Sequence, residues 1–175
     1  MQHQPVVVAY GMGVEYAYTP AGDRAATKTP WGTTKYRHDA QGRVVGIDLA
    51  EGGSIAIDLG PDGKRREVRY PNGVATRFSW QKGRLAEVVT AKGDEVIDRK
   101  AYEYDASGRV ASVTDKAGKK TSYLHDGRGR LVEQSGPDGR VTWSWDAAGN
   151  RISETRGGVE TRAEEAPGNR VTKHG

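Results

Sequence analysis

The chain has 175 residues, with 24 Gly, 7 Pro and no Cys, and a formal net charge of +4. Leu, Ile, Val and Phe together number only 28, and no long Gly-free run supplies the apolar stripes a helical bundle needs. The composition excludes a disulfide framework, a thiolate nucleophile and a Cys-based zinc site. Low apolar content alone would fit a disordered chain, but disorder usually brings high net charge and few aromatics. Here eight Tyr, four Trp and one Phe are spread along the sequence. The longest apolar run, Val6 to Tyr10, is too short for a membrane span. No basic stretch followed by an apolar core marks a signal peptide.

Taken in chain order, the first segment, 1–15, is off-pattern. It holds the apolar Pro5-Val6-Val7-Val8 and reads as a cap or plug. From 16 to 162 a beat takes over. Turn glycines fall at 22, 32, 42, 53, 63, 73, 83, 93, 108, 118, 129, 139, 149 and 158, with another at 168. Every step lies within a residue of ten except the step of 15 from Gly93 to Gly108. Turn chemistry marks these points: Pro61-Asp62-Gly63, Pro71-Asn72-Gly73 and Pro137-Asp138-Gly139 each combine a residue that presets φ, one that makes a local turn and one that takes positive φ. Between the turns, side chains alternate, as in Tyr16-Ala17-Tyr18, Ile55-Ala56-Ile57 and Trp143-Ser144-Trp145. Regular turns joining short alternating stretches predict an all-β antiparallel meander, with no helix and up to sixteen strands. The last segment, 163–175, is a polar tail, with Pro167-Gly168-Asn169 leaving room for a final weak strand.

Every second turn carries a stronger motif, so the true unit is about twenty residues, two strands and two turns. One copy runs from Tyr36 through His38 and Asp39 to Gly42 and Arg43. A second runs from Tyr102, Tyr104 and Asp105 to Gly108 and Arg109. A third joins Tyr123, His125 and Asp126 to Gly129 and Arg130. A fourth joins Trp143, Trp145 and Asp146 to Gly149, with Asn150 before Arg151. Looser copies are Tyr16 to Gly22 and Phe78-Ser79-Trp80 to Gly83 and Arg84.

On these motifs the chain resembles the YD-repeat, or Rhs, family of bacterial proteins, whose namesake pattern is Tyr-x-Tyr-Asp-x-x-Gly-Arg. The resemblance covers roughly 16–162. It implies a β wall that winds into a hollow shell around a toxin segment, and a secreted or exported setting. The family's Asp-Pro-x-Gly-Leu core motif is absent, and no toxin domain follows the repeats, so the expectation is a piece of shell alone. The implied role is non-enzymatic: a hydrogen-bonded wall that encloses or contacts a polypeptide cargo or toxin chain. Open first and last strands would also allow self-association. The alternative is an extracellular carbohydrate-binding module built on stacked aromatics.

Sixteen strands at ~4.8 Å spacing would form a strip about 75 Å wide, wider than twisted open sheets usually reach without curling. The strip is therefore expected to curl into a partial shell, barrel or spiral. Paired aromatics are expected to share one face and stack across repeats, each pair contributing ~0.2–1 kcal/mol. The Asp39, Asp105, Asp126 and Asp146 row, with Arg43, Arg84, Arg109, Arg130 and Arg151, forms a charged edge. Its expected use is structural, with Asp capping its own turn and Arg pairing with neighbouring Asp. Interleaved acids cancel the field that a nucleic-acid backbone would need, so no nucleic-acid partner is expected. His38 and His125 take the place of the second aromatic ring, and neither a metal nor a cofactor is expected. The segment Asp94–Lys100 reads as either a partner-binding loop or a longer hairpin. Serines recur at repeat positions, and no Gly-x-Ser-x-Gly elbow or triad spacing accompanies them.

Overall fold

The structure, a computed structural model, describes residues 8–10, 13–166 and 170–174. The expected Pro5–Val7 stretch of the cap and the Pro167-Gly168-Asn169 turn lie outside these residues. The described residues form seventeen β-strands and no helix. Sixteen of them, from Val14–Tyr18 (β2) to Arg170–His174 (β17), are the strands the turn beat predicts. The additional one is Val8–Tyr10 (β1), which pairs antiparallel with β2 through Val8↔Tyr16 and Tyr10↔Val14.

The chain divides into two compact units, Met1–Asp98 and Arg99–Gly175. In the first, β1 and β2 are followed by Arg24–Thr29 (β3), Gly32–His38 (β4), Val44–Asp48 (β5), Ser54–Leu59 (β6), Arg65–Arg69 (β7), Val74–Gln81 (β8) and Arg84–Lys92 (β9). In the second, Glu95–Tyr104 (β10, which crosses the boundary) leads to Val110–Asp115 (β11), Lys120–His125 (β12), Leu131–Gly136 (β13), Gly139–Trp145 (β14), Arg151–Arg156 (β15), Val159–Ala166 (β16) and β17. Within each unit every strand pairs antiparallel with its successor. The segment Asp94–Lys100 is not a loop. Residues 95–100 belong to β10, at ten residues a long strand.

The turns explain the beat. In most of them the first residue's carbonyl accepts from the fourth residue's N–H, and its own N–H donates to the fifth residue's carbonyl. Asp39 does this with Gly42 (3.0 Å) and Arg43 (2.9 Å). This is a three-residue hairpin loop, a type I turn followed by a left-handed residue in a bulge. Every beat glycine from 22 to 158 has positive φ, which a residue without a Cβ adopts without steric cost. One assignment shifts by a residue. At the 49–53 turn both Gly52 and Gly53 have positive φ, but Gly52 donates to Leu49, so Gly52 is the counterpart of Gly42. Two-residue turns replace the longer ones at Lys82-Gly83 and Gly157-Gly158, where both residues have positive φ, and at Pro30-Trp31 and Pro137-Asp138, where the beat glycine opens the next strand.

Register gives each unit two unlike faces. In the first, Tyr36↔Ile47, Ile47↔Ile55, Ile57↔Val68 and Phe78↔Val88 share one face. In the second, Tyr102↔Val113, Tyr123↔Gln134 and Gln134↔Val141 lie on the face that also carries Trp143. The opposite face is polar and runs Glu103↔Ser112, Ser112↔Ser122, Ser122↔Ser135 and Ser135↔Arg140. Burial is shallow. Among the described residues the buried apolar side chains are Val68, Ala91 and Val141, and no side chain falls below 2% exposure. The low apolar content therefore belongs to a wall one layer thick.

Candidate functional site, the charged turn edge

The strongest motif places its Asp at the first position of the turn and its Arg at the fifth. Asp126 Oδ1 accepts from the backbone N–H groups of Arg128 and Arg130, both at 2.9 Å, and Oδ2 accepts from Arg130 Nε at 2.7 Å. Asp105 repeats this with Arg109, at 2.9 Å from the backbone and 2.7 Å from Nε. Asp39 does so with Arg43 (3.0 and 2.6 Å) and also accepts from the Gln41 N–H. At Asp146 the fifth residue is Asn150, which supplies its N–H and Nδ2, both at 2.8 Å. In the loose first copy Thr19 takes the Asp place, and its Oγ1 accepts from the Asp23 N–H.

Arg43, Arg109 and Arg130 therefore pair with the carboxylate of their own turn, not with that of the neighbouring repeat. The other end of each guanidinium reaches forward. Arg109 Nη1 donates to the Asp126 carbonyl at 2.8 Å, and Arg130 Nη1 to the Asp146 carbonyl at 2.7 Å. Arg43 makes the same reach, longer, to the Gly60 carbonyl at 3.4 Å. One guanidinium thus closes its own turn and ties it to the next turn on the same edge. Arg is suited to this because its planar fork offers several donors in fixed directions. Arg151 stands outside this relay and pairs with Glu154 at 3.1 Å. Arg84 follows a two-residue turn that has no Asp at its head.

These bonds fix the charge state of the edge. Backbone hydrogen bonding from Arg109 holds the Asp105 carboxyl below the usual aspartate range, and Arg130 does the same for Asp126. Asp146 is held low first by the Asn150 side chain. At Asp39 partial burial pushes upward, and the Arg43 hydrogen bonds outweigh it.

The second aromatic of a copy also reaches across repeats. Trp80 Nε1 donates to the Arg65 carbonyl at 2.7 Å, and Trp145 Nε1 to the Leu131 carbonyl at 2.8 Å. Both acceptors begin the strand after the preceding turn on that edge. The preceding turn's fifth residue also lies over the ring: Lys64 over Trp80 at 5.8 Å and Arg130 over Trp145 at 5.9 Å. The cross-repeat contacts of Trp80 and Trp145 thus run to cations and carbonyls, where the sequence suggests ring-on-ring stacking. Trp143 Nε1 is occupied by Glu154 at 3.0 Å. Tyr36 meets Thr27 through its hydroxyl at 3.4 Å. Tyr102 and Tyr123 lie half-buried on the aromatic face, and Tyr104 and His125 sit at the bulges where β10 and β12 enter their turns. His38 occupies the same place in β4. Among the described residues no three His, Cys, Asp or Glu side chains gather as a metal site.

A family model for the RHS repeat matches residues 104–139 and 125–158. Over 127 residues, 71% of this chain, the sequence is 32% identical to a double-stranded DNA deaminase toxin A of Burkholderia cenocepacia (strain H111), and the match spans 8% of that protein. The fold is similar to part of the Photorhabdus luminescens Tc holotoxin pore, with a TM-score of 0.69 at 18% identity, covering 85% of this chain and 9% of that one. It is similar also to part of a TcdB2-TccC3-Cdc42 crystal structure, with a TM-score of 0.72 at 16% identity, covering 88% of this chain and 10% of that one.

Proposed function

Because the chain belongs to the Rhs, or YD-repeat, family, we propose that it is a non-enzymatic stretch of wall in a toxin shell, enclosing or contacting a polypeptide cargo. The observation that carries this reading is the forward reach of Arg109 and Arg130, which ties each turn to the next along one edge. A wall needs bonds that repeat along its length, and this relay supplies them at three of the four full copies of the motif, from Arg43, Arg109 and Arg130. The repeated carboxylates are spent on backbone N–H groups and their own Arg or Asn, which leaves them poor candidates for acid–base chemistry. The mechanism is topological: a hydrogen-bonded sheet excludes proteases and solvent from one side while the guest remains a separate segment. The cargo we propose is a toxin segment, in keeping with the toxin named above, of which this chain matches a small part.

The test is to produce the protein from its native locus together with the adjoining coding sequence. A cargo would co-purify with this chain and resist trypsin in its presence. A neighbouring polypeptide digested at the same rate with and without the chain would refute the proposal.

A further inference from the structure

Forward reaching stops at the turn that Arg43 meets, and at this gap lies a cavity of about 440 Å³, lined by Pro61, Asp62, Lys64, Arg66, Phe78 and Trp80. The gap follows from the sequence. In the turn Gly60–Lys64 the Asp place is taken by Gly60, and the Arg place by Lys64. Lys64 lies over the Trp80 ring but makes no hydrogen bond to the next turn on that edge, the two-residue Lys82-Gly83, where the non-Gly Lys82 is held at φ 49°. Instead Lys64 folds back on Asp62, with Nζ to Oδ2 at 2.5 Å and its backbone N–H to Oδ1 at 3.2 Å. Gly60 does not have positive φ, so its need is for space. A Cβ there would lie 2.8 Å from Asp62 Oδ1 and 3.2 Å from Arg66 Nε. The glycine thus makes room for a charged pair of walls that the other turns on this edge lack.

The polar groups of this cavity are not equivalent. Asp62 is committed to Lys64, and the indole N–H of Trp80 to the Arg65 carbonyl. Arg66 is exposed and has no ion-pair partner among the described residues. It stands opposite Phe78, one register step beyond Glu67↔Arg77. Trp80 remains 39% exposed and so offers a ring face. The site therefore presents a guanidinium with no ion-pair partner beside an aromatic surface, and the one carboxylate in the lining, Asp62, already has its charge matched by Lys64. With Asp62 and Lys64 matched to each other, Arg66 leaves the lining one positive charge in surplus, which favours an anion over a neutral sugar, and a carboxylate suits a guanidinium in bidentate geometry.

We propose that this cavity binds a carboxylate-bearing stretch of polypeptide, the carboxylate on Arg66 and an adjoining apolar side chain against Trp80 and Phe78. Naming a peptide as the source of the carboxylate rests on the reading of the chain as a wall against polypeptide cargo; the chemistry of the site does not. The test is calorimetric titration at low salt with the capped tetrapeptide acetyl-Leu-Glu-Phe-Glu-amide, its Gln counterpart, acetate alone and maltotriose. The acidic peptide is expected to saturate one site and the Gln peptide to bind at least about tenfold more weakly, the usual worth of a charge-assisted hydrogen bond. Arg66→Gln is expected to cost the same factor with an unchanged circular dichroism spectrum. Arg69→Gln, on the same strand but paired with Glu67, is expected to leave binding unaltered. Equal binding of both peptides, saturation by maltotriose, acetate binding as tightly as the peptide, no binding at all, or indifference to Arg66→Gln would each overturn the proposal. Such a result alongside intact cargo protection would remove the site and leave the wall reading standing. Peptide binding without any cargo protection would do the reverse.

Discussion

The turn Asp126–Arg130 contains two glycines with opposite requirements, and substituting each in turn tests the conformational account of the beat. Gly129 holds φ at +83°, and its neighbours leave ordinary room for a methyl group, the nearest atom being Arg109 Nη1 at 3.6 Å. Gly127 does not have positive φ, and a Cβ there would meet nothing within 4 Å. Packing is thus nearly neutral at both sites, and backbone conformation separates them. Gly129→Ala forces an L-residue into the left-handed region at a cost of about 1–2 kcal/mol. Gly127→Ala removes only freedom in the unfolded chain and is expected to stabilise by ~0.4–1 kcal/mol. For a chain of this size each kcal/mol moves the melting midpoint by about 2–4 °C, and by more if the second unit melts alone. The assay is thermal melting followed by circular dichroism at a β-sheet wavelength, with Gly129→Asn as a further variant that tolerates left-handed φ and should fall between Ala and wild type. Equal losses at 127 and 129, or an unchanged midpoint for Gly129→Ala, would refute the reasoning.

Acid should loosen the edge. The carboxyls of Asp39, Asp105, Asp126 and Asp146 have pKa values below the ordinary 3.8, so their contribution to stability is full above that value and is lost as pH falls through the folded-state values. Melting midpoints should be level above about pH 5 and drop below about pH 4, and an Asp105→Asn, Asp126→Asn double variant should show a shallower drop. Arg130→Lys should destabilise more than Arg43→Lys, because the forward bond it removes is 2.7 Å long against 3.4 Å; equal urea midpoints for the two, or a lower one for Arg43→Lys, would contradict the relay. Val141→Ala, at a side chain 4% exposed, should cost about 1.5–2.5 kcal/mol. Leu124→Ala, at 57% exposure, should stay within about 0.5 kcal/mol. Chemical denaturation separates these two values directly.

Much of this architecture is legible in the sequence because turn chemistry is local. A positive-φ glycine needs no partner from elsewhere in the chain, so Gly42, Gly108 and Gly129 announce their turns from sequence alone. Alternation is equally local, so Ile55-Ala56-Ile57 and Trp143-Ser144-Trp145 mark strands with two unlike faces from sequence alone. What sequence could not separate was adjacency: Gly52 and Gly53 both adopt positive φ, and only the bond from Gly52 to Leu49 picks the turn residue. The direction of the Arg bonds was hidden for a related reason. An Asp four residues before an Arg and an Asp one repeat away are both within reach on paper, and the geometry of the bulge settles the pairing within the turn. The cavity beside Trp80 was harder still. It arises from what two successive turns on one edge lack, an Asp at position 60 and a third loop residue near Gly83, and an absence from a motif gives no signal until neighbouring turns are placed side by side.

The central claim is that one side of this sheet faces a polypeptide. A photo-crosslinking residue placed at Tyr123, on the aromatic face, and separately at Leu124, on the other, in protein made from the native locus, addresses it most directly. The account predicts that one position, and not the other, crosslinks to a single protease-protected polypeptide identified by mass spectrometry. Crosslinking from neither position, or equally from both, would contradict it.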